Sequence, residues 1–402
     1  MSSRTKFFVV STSTCLTVML LIGASLGRSA DQSDTLKHIG VFSDVVAHIK
    51  SEYVEEPDMK SVTLGALNGL LEAVDPFASY LNADQYRDYL KNKDVKRAEV
   101  GLLLSKKGGF MGVVGAVSSS PAAKAGLTTG DMIESIKGIA TRDMPLAYAS
   151  MLLQGESGTP VELSVVRWRR QEPQAVKLIR AAVVLPPVEE KMLAEQVGYI
   201  NIDALSPALV KDVAKAIEKL QRDGAQKLVV DVRNCSVGSA EDGIALANLF
   251  LSKGRIGYLK GQKYTQQNFD ADPAKAITTL PVAVVTNHGT AEGAEIMAAA
   301  LLDNKRAQVV GERTYGDAAL RKAIPMDDGA AIILSVAKYY SPGGKAIQDT
   351  GVTPGTQVVE TDNQVEFDEN GMPVPETPEQ IQQKKTENDP MVKKALEVLA
   401  KG

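Results

Sequence analysis

From residue 197 to 360 the chain alternates short apolar runs with helical patterns, and this alternation limits its fold more than any other feature. VGYINI comes first, followed by a helical pattern over 207–222, KLVVDV, a helix over 240–252 and a strand near 256–260. PVAVVT, a helix over 291–303, AQVVGE and AAIILSVAKYY complete the series. The Val-rich runs lack the apolar–polar alternation of a strand with one wet face. They read as strands buried on both faces, covered by the helices between them, which is an α/β core.

The remainder of the chain adds other material to that core. Residues 35–93 carry helical spacing, with Leu36, Ile39, Phe42, Val45, Val46 and Ile49 recurring on one face. DPFASYL (75–81) breaks that pattern. Residues 98–183 switch to short β runs punctuated by glycine, and Pro186-Pro187 marks a boundary. Residues 361–402 are charged and contain proline, and they read as a solvated tail with one short terminal helix, MVKKALEVLAK. The expected organisation is 1–30 signal peptide or membrane anchor, 31–97 helical region, 98–183 middle domain, 184–360 α/β core and 361–402 tail.

At the N-terminus, Arg4 and Lys6 precede twenty uncharged residues, 7–26, and small residues follow at Ala24, Ser25, Gly27 and Ala30. This is a basic region, an apolar region and a cleavage-type segment. The apolar stretch is also long enough to span a bilayer uncleaved. Either way the rest of the chain is expected in the cell envelope or periplasm, touching membrane only through this segment.

Composition excludes several classes of function. A net charge of −4 over 402 residues gives no basic surface for nucleic acid. Cys15 lies in the apolar segment and leaves Cys235 alone, so there is no disulfide framework. The three histidines, His38, His48 and His288, lack zinc-ligand spacing.

SPAAKAGLTTGDMIESIKG (120–138) is the most specific segment of the middle domain. Ser-Pro starts a short helix, Gly126 ends it, and Gly130-Asp131 turns the chain into a strand. This resembles the PDZ domains of bacterial envelope proteases. The resemblance implies capture of peptide C-termini on a sheet edge. The expected capture segment is Val100-Gly101-Leu102-Leu103, with Gly101 admitting the ligand backbone. Leu102 and Leu104 read either as the side-chain pocket or as plain core.

With that domain in place, DPFASYL, VGYINIDALSP, KLVVDVRN, NHGTAEGAEI, VVGERTYG and YYSPGGKAIQDTGVTP stand in an order that resembles the carboxyl-terminal processing peptidases, or tail-specific proteases. The resemblance covers residues 35–357. It implies an α/β core of the ClpP/crotonase-related type, with an inserted PDZ domain and an N-terminal helical region. It also implies a serine nucleophile activated by a lysine base, and no metal or other cofactor.

The reactive positions depart from that pattern. Where the family reads N-x-G-[ST]-A-S-A-S-E-I, this chain has Asn287 to Ile296, and the nucleophile position holds Glu292. Where it reads G-E-x-T-[FY]-G-K-G-x-V-Q, the base position holds Asp317 and the assisting glutamine position holds Arg321. The oxyanion region R-N-N-x-G-G is Arg233 to Gly238, with Val237 in place of a glycine. Asp303, Tyr339, Tyr340, Pro342, Gly344 and Gln348 keep the family framework.

Two carboxylates about 5 Å apart repel by roughly 3 kcal/mol at an effective dielectric of 20. They therefore need a proton, a cation or Arg321 between them. Neutralisation by Arg321 is favoured over new acid–base chemistry or metal binding.

Two functions follow. One is a catalytically inactive pseudo-peptidase that binds protein C-terminal tails. Its other expected partners are an active envelope protease or a second copy of itself. The alternative is an active serine-type endopeptidase with a rewired site, drawing on Thr290, Ser236 or Cys235 with Lys322 or Lys345.

Overall fold

The computed structural model describes residues 36–359 and 389–401, apart from 94, 96, 143 and 168–171. The proposed export segment, residues 1–30, lies outside the described residues. Among those described, no helix is long and apolar enough to cross a membrane.

The chain divides into two units, residues 1–66 and 67–402. The first contains helix α1 (36–52) and the start of α2 (Met59–Glu72). Leu36, Ile39, Phe42 and Val45 recur on α1 as expected, and all are exposed.

In the second unit, DPFASYL ends in a short strand, β1 (Ser79–Leu81), before α3 (Ala83–Asn92). Asn82 and Gln85 cap α3 reciprocally. Next comes a β-sheet domain: β2 (Leu102–Lys107), β3 (Phe110–Ala116), α4 (Pro121–Lys124), β4 (Met132–Ile136), β5 (Ile139–Ala140), α5 (Leu146–Leu153), β6 (Pro160–Val166) and β7 (Gln174–Ile179). The strands order as β2-β3-β4-β6-β7, which leaves β2 at an edge.

The 120–138 segment forms as its residue types require. Ser120 Oγ accepts from Ala123 N–H at 3.2 Å, and Gly126 takes a φ of +69° after the helix. Asp131 accepts from Thr128 N–H and is buried against Arg167 at 2.9 Å.

The valine runs lie inside the main sheet, ordered β17-β14-β13-β10-β9-β8. It comprises β8 (Glu189–Met192), β9 (Val197–Asn201), β10 (Lys227–Asp231), β13 (Val282–Thr286), β14 (Ala307–Gly311) and β17 (Thr356–Gln357). All neighbours pair in parallel except β8 with β9.

Both faces of this sheet are covered, which explains the unbroken apolar runs. Val282 and Val284 join a core with α6 (Pro207–Arg222), α7 (Ala240–Asn248) and α8 (Gly293–Asp303). Ala283 and Val285 point the other way, toward the terminal helix α9 (Pro390–Lys401). An antiparallel sheet, β1-β16-β11-β12 with β15 also on β16, completes the unit. Its further strands are β11 (Arg255–Lys260), β12 (Gln267–Asp270), β15 (Ala319–Pro325) and β16 (Ala331–Tyr340).

Three sequence expectations need correction. The helix over 240–252 stops at Asn248, where the N–H groups of Leu249 and Phe250 bond only three residues back, to Leu246 and Ala247, and tighten the chain into a turn. The helix over 291–303 starts at Gly293, because Glu292 has a φ of 52°, which no helix residue adopts. The terminal helix is not solvated. Met391, Val392, Ala395 and Leu399 are buried against Tyr199, Val229, Val285 and Val310.

The helix is also fastened electrostatically. Asp389 accepts from the N–H groups of Met391 and Val392, and it pairs with Arg233 at 2.8 Å. Residues 360–388 lie outside the described residues.

Leu399→Ala should therefore cost about 2–5 kcal/mol in denaturant unfolding, as a core truncation does. A cost within about 0.5 kcal/mol, the surface range, would return α9 to the solvent.

Candidate functional site

Three loops leave the carboxyl ends of the adjacent parallel strands β10, β13 and β14, where open α/β sheets place their sites. They are residues 232–239, 287–292 and 312–318.

The first loop is anchored at its root. Arg233 forks onto Asp231 at 3.0 and 2.6 Å, and Tyr199 donates its hydroxyl to the same carboxylate at 2.8 Å. Burial and the Asp231 charge hold the Tyr199 phenol well above its ordinary range. Asn234 and Asn287 then tie the first loop to the second through two hydrogen bonds of 3.0 Å.

Gly238 takes a φ of +148°, and a Cβ there would lie 2.4 Å from Leu205 Cβ, so only glycine fits. Val237 avoids left-handed backbone and accepts from Leu205 N–H at 2.7 Å. Val237, in place of the family glycine, thus fits this loop without left-handed backbone.

Glu292 sits on the turn into α8 with a φ of 52° and a ψ of −124°, a strained conformation for a residue with a side chain. Its Oε2 accepts from Gly238 N–H at 3.3 Å, and its own N–H donates to Glu295 at 3.2 Å. Burial, with Asp317 next, pushes the Glu292 carboxyl up to about 8.

Glu295 is wholly buried and accepts from Gly316 N–H and Asp317 N–H, both at 2.7 Å, and from the Thr314 hydroxyl. Burial raises its carboxyl to about 8 as well, although these donors favour the charged form.

Asp317 is buried, and its Oδ1 pairs with Arg321. Its Oδ2 has no hydrogen-bond partner among the described residues. Burial raises this carboxyl, and Arg321 opposes the shift. The Arg321 guanidinium lies 4.1 Å from the Phe77 ring centroid, within cation–π range. The expected ion pair thus forms with Asp317, while the Arg321 charge also lowers the pKa of Glu292.

The other candidate nucleophiles are engaged or enclosed. Thr290 donates its hydroxyl to Val232 O at 2.8 Å and accepts from Asn287 N–H at 3.1 Å. Ser236 is buried beneath β3, where a Cβ on Gly115 would come within 2.4 Å of its hydroxyl oxygen. Burial raises the Cys235 thiol far above its ordinary value. Lys322 lies over the Tyr264 ring, and Lys345 is exposed.

The remaining framework residues hold loops in place. Asp303 accepts from Gly343 N–H at 2.8 Å, and Tyr340 stacks on Tyr258. Gln348 donates to Asp75 at 3.1 Å, a link that motif spacing alone did not reveal.

The capture segment runs into the edge strand β2. Val100 and Leu104 are core, Leu103 is half-buried, and Leu102 is half-buried near α5. Gly101 is also needed for packing. Its φ is +75°, and a Cβ there would lie 2.3 Å from Ser120 Cβ, so packing against Ser120 requires the glycine.

A model of peptidase family S41 matches residues 196–358, and a PDZ domain model matches residues 112–167. A carboxy-terminal-processing protease of Bartonella bacilliformis is 28% identical, over 88% of this chain and 82% of its own length. A carboxyl-terminal-processing protease of Synechocystis sp. is 32% identical, over 78% of this chain and 74% of its own. The solved photosystem II D1 C-terminal processing protease shares the fold, with a TM-score of 0.67 at 24% identity over 87% of this chain and 92% of that one.

A carboxyl kept neutral by burial retains a proton that the unfolded chain releases above about 4.5. Stability should therefore fall as pH rises from there through about 8. Glu292→Gln should flatten that slope and gain about 1–3 kcal/mol over the parent at pH 9. An unchanged slope in urea titrations at pH 5, 7 and 9 would count against a neutral Glu292. Arg321→Ala should cost about 1–3 kcal/mol at pH 8 and less at pH 5, because acid favours the neutral form of a buried carboxyl that has lost its cation. Parent-like melting at both pH values would refute the ion-pair account.

Proposed function

This chain belongs to peptidase family S41, and from that premise we propose that it is a non-hydrolysing homologue of the carboxyl-terminal processing proteases that binds protein C-terminal tails. The comparisons alone fit an active protease equally well. The contact between Glu292 and Gly238 favours the inactive reading.

Acyl transfer at the Glu292 position needs a nucleophilic hydroxyl, a base at the Asp317 position and N–H donors directed at the developing oxyanion. Glu292 supplies no hydroxyl. Its carboxyl occupies the Gly238 N–H instead, so a substrate oxyanion would compete with it for that donor. Asp317, paired with Arg321, is not the desolvated amine that a serine requires.

The tail-binding half of the proposal rests on the PDZ match and on segment 100–104. The carbonyls of Val100 and Gly101 accept from Ala122 and Val117 N–H, both at 3.0 Å, and so turn into the domain. This leaves N–H groups at the start of β2 to receive a terminal carboxylate. Residues 4–26 support export to the cell envelope. An active envelope protease or a second copy of this chain fits as the protein partner of such an adaptor.

The purified chain should not cleave casein or tailed peptides, and no serine should take a fluorophosphonate label. Turnover that disappears in Ser236→Ala or Thr290→Val would establish the rewired hydrolase instead. Peptides with apolar C-terminal residues should bind as free acids at least tenfold more tightly than as amides. Equal affinity of acid and amide would rule out carboxylate capture.

A further inference from the structure

We propose that the tail-binding edge reads only the last three residues of its ligand, because the chain's own Pro76-Phe77 segment closes the groove beyond them. This rests on the tail-binding reading above. It adds a limit on length that neither the fold nor the family resemblance supplies.

The register of β2 sets where the edge is open. Leu103 pairs with Gly115 and Leu104 with Val113, so the bulged residue, Val114, lies on β3 and β2 itself stays regular. Alternate residues of β2 therefore direct their backbone groups to the same side. Lys106 identifies the outward set, because its N–H donates across the free edge to Pro76 O at 2.9 Å. Leu104 and Leu102 follow with the same orientation.

A tail adding antiparallel to β2 starts with its carboxylate at Gly101-Leu102 and passes Leu103 and Leu104. At Lys106 it meets a backbone donor that is already taken.

The closing segment is firmly held. The Asp75 carboxylate accepts from Phe77 N–H at 3.0 Å, Ser335 N–H at 2.9 Å and Gln348 at 3.1 Å. Phe77 is buried in the same apolar cluster as Leu104, Ala149 and Leu153. It meets Tyr315 edge to face, and the Tyr315 hydroxyl is hydrogen-bonded to Ser105 on β2. At the start of α5, Ala147 N–H donates to Ser79 Oγ at 3.0 Å. Residues 75–79 thus bridge β2 and α5 at the far end of the groove. Leu102, Tyr148 and Leu152 are half-buried and pack against the same cluster.

The test titrates the full chain with N-acetylated peptides of three, five and eight residues, all ending in Ser-Ala-Val with a free carboxylate. The eight-residue amide serves as control. The three acids should bind with dissociation constants within about threefold of one another. Phe77→Ala loosens the closing segment, and in that variant the eight-residue peptide should gain tenfold or more over the three-residue one. Phe77→Leu replaces it if the alanine variant loses its melting transition.

A tenfold gain from three to eight residues in the parent overturns the proposal while leaving tail binding intact. Length-independent binding in the folded variant overturns the role of Pro76-Phe77. Acids that bind no better than the amide overturn the tail-binding reading, and this proposal with it.

Discussion

Glu295 is wholly buried, and four donors converge on its two oxygens: the N–H groups of Glu292, Gly316 and Asp317 and the hydroxyl of Thr314. A carboxyl so far from water is costly unless its oxygens are satisfied, and here the satisfaction is structural. The turn into α8 and the loop before β15 are bound to one side chain and cannot shift independently. The unfavourable backbone of Glu292 persists because its N–H is fixed from below. The relation between residues 292 and 317 therefore depends on Glu295, whatever side chains those positions carry.

A second tie reaches the opposite face of the main sheet. Arg233 belongs to the loop that presents Gly238, yet one of its nitrogens pairs with Asp389 at the start of α9. The helix supplies apolar cover to β9, β10, β13 and β14, and through this pair it also fixes the root of the loop. Tyr199 and Asp231 complete the buried network. Charge and packing thus hold the loop from beneath while Glu292 engages its tip.

Much of this was legible in the sequence because it is local. Unbroken valine runs marked the two-sided sheet, and Ser120-Pro121 with Gly126 marked a capped helix. Glu292 was located by resemblance to the family motif, although the helix was expected to include it. The docking of α9 was not legible, since its partner Arg233 lies 156 residues away and the intervening stretch is charged. β1 and β15 were missed because three residues, or a polar run such as ALRKAIP, carry too little alternation. The packing of Gly101 on Ser120 was not legible: sequence reveals a glycine's freedom but not which atom occupies the space of the missing side chain. The Phe77–Arg321 contact was invisible because it joins two segments that the motifs treat separately.

The Asp317–Arg321 pair makes positions 317 and 321 interdependent. Returning lysine to position 317 first would set two cations against each other beside Phe77. Returning glutamine to position 321 first would leave a buried carboxylate without its cation, next to Glu292. Changing position 292 alone frees Gly238 N–H but leaves no base. A change at 317 or at 321 alone therefore leaves a charge uncompensated, whereas a change at 292 alone relieves one. The pair thus behaves as one electrostatic unit of the core, and neither member can be exchanged without the other.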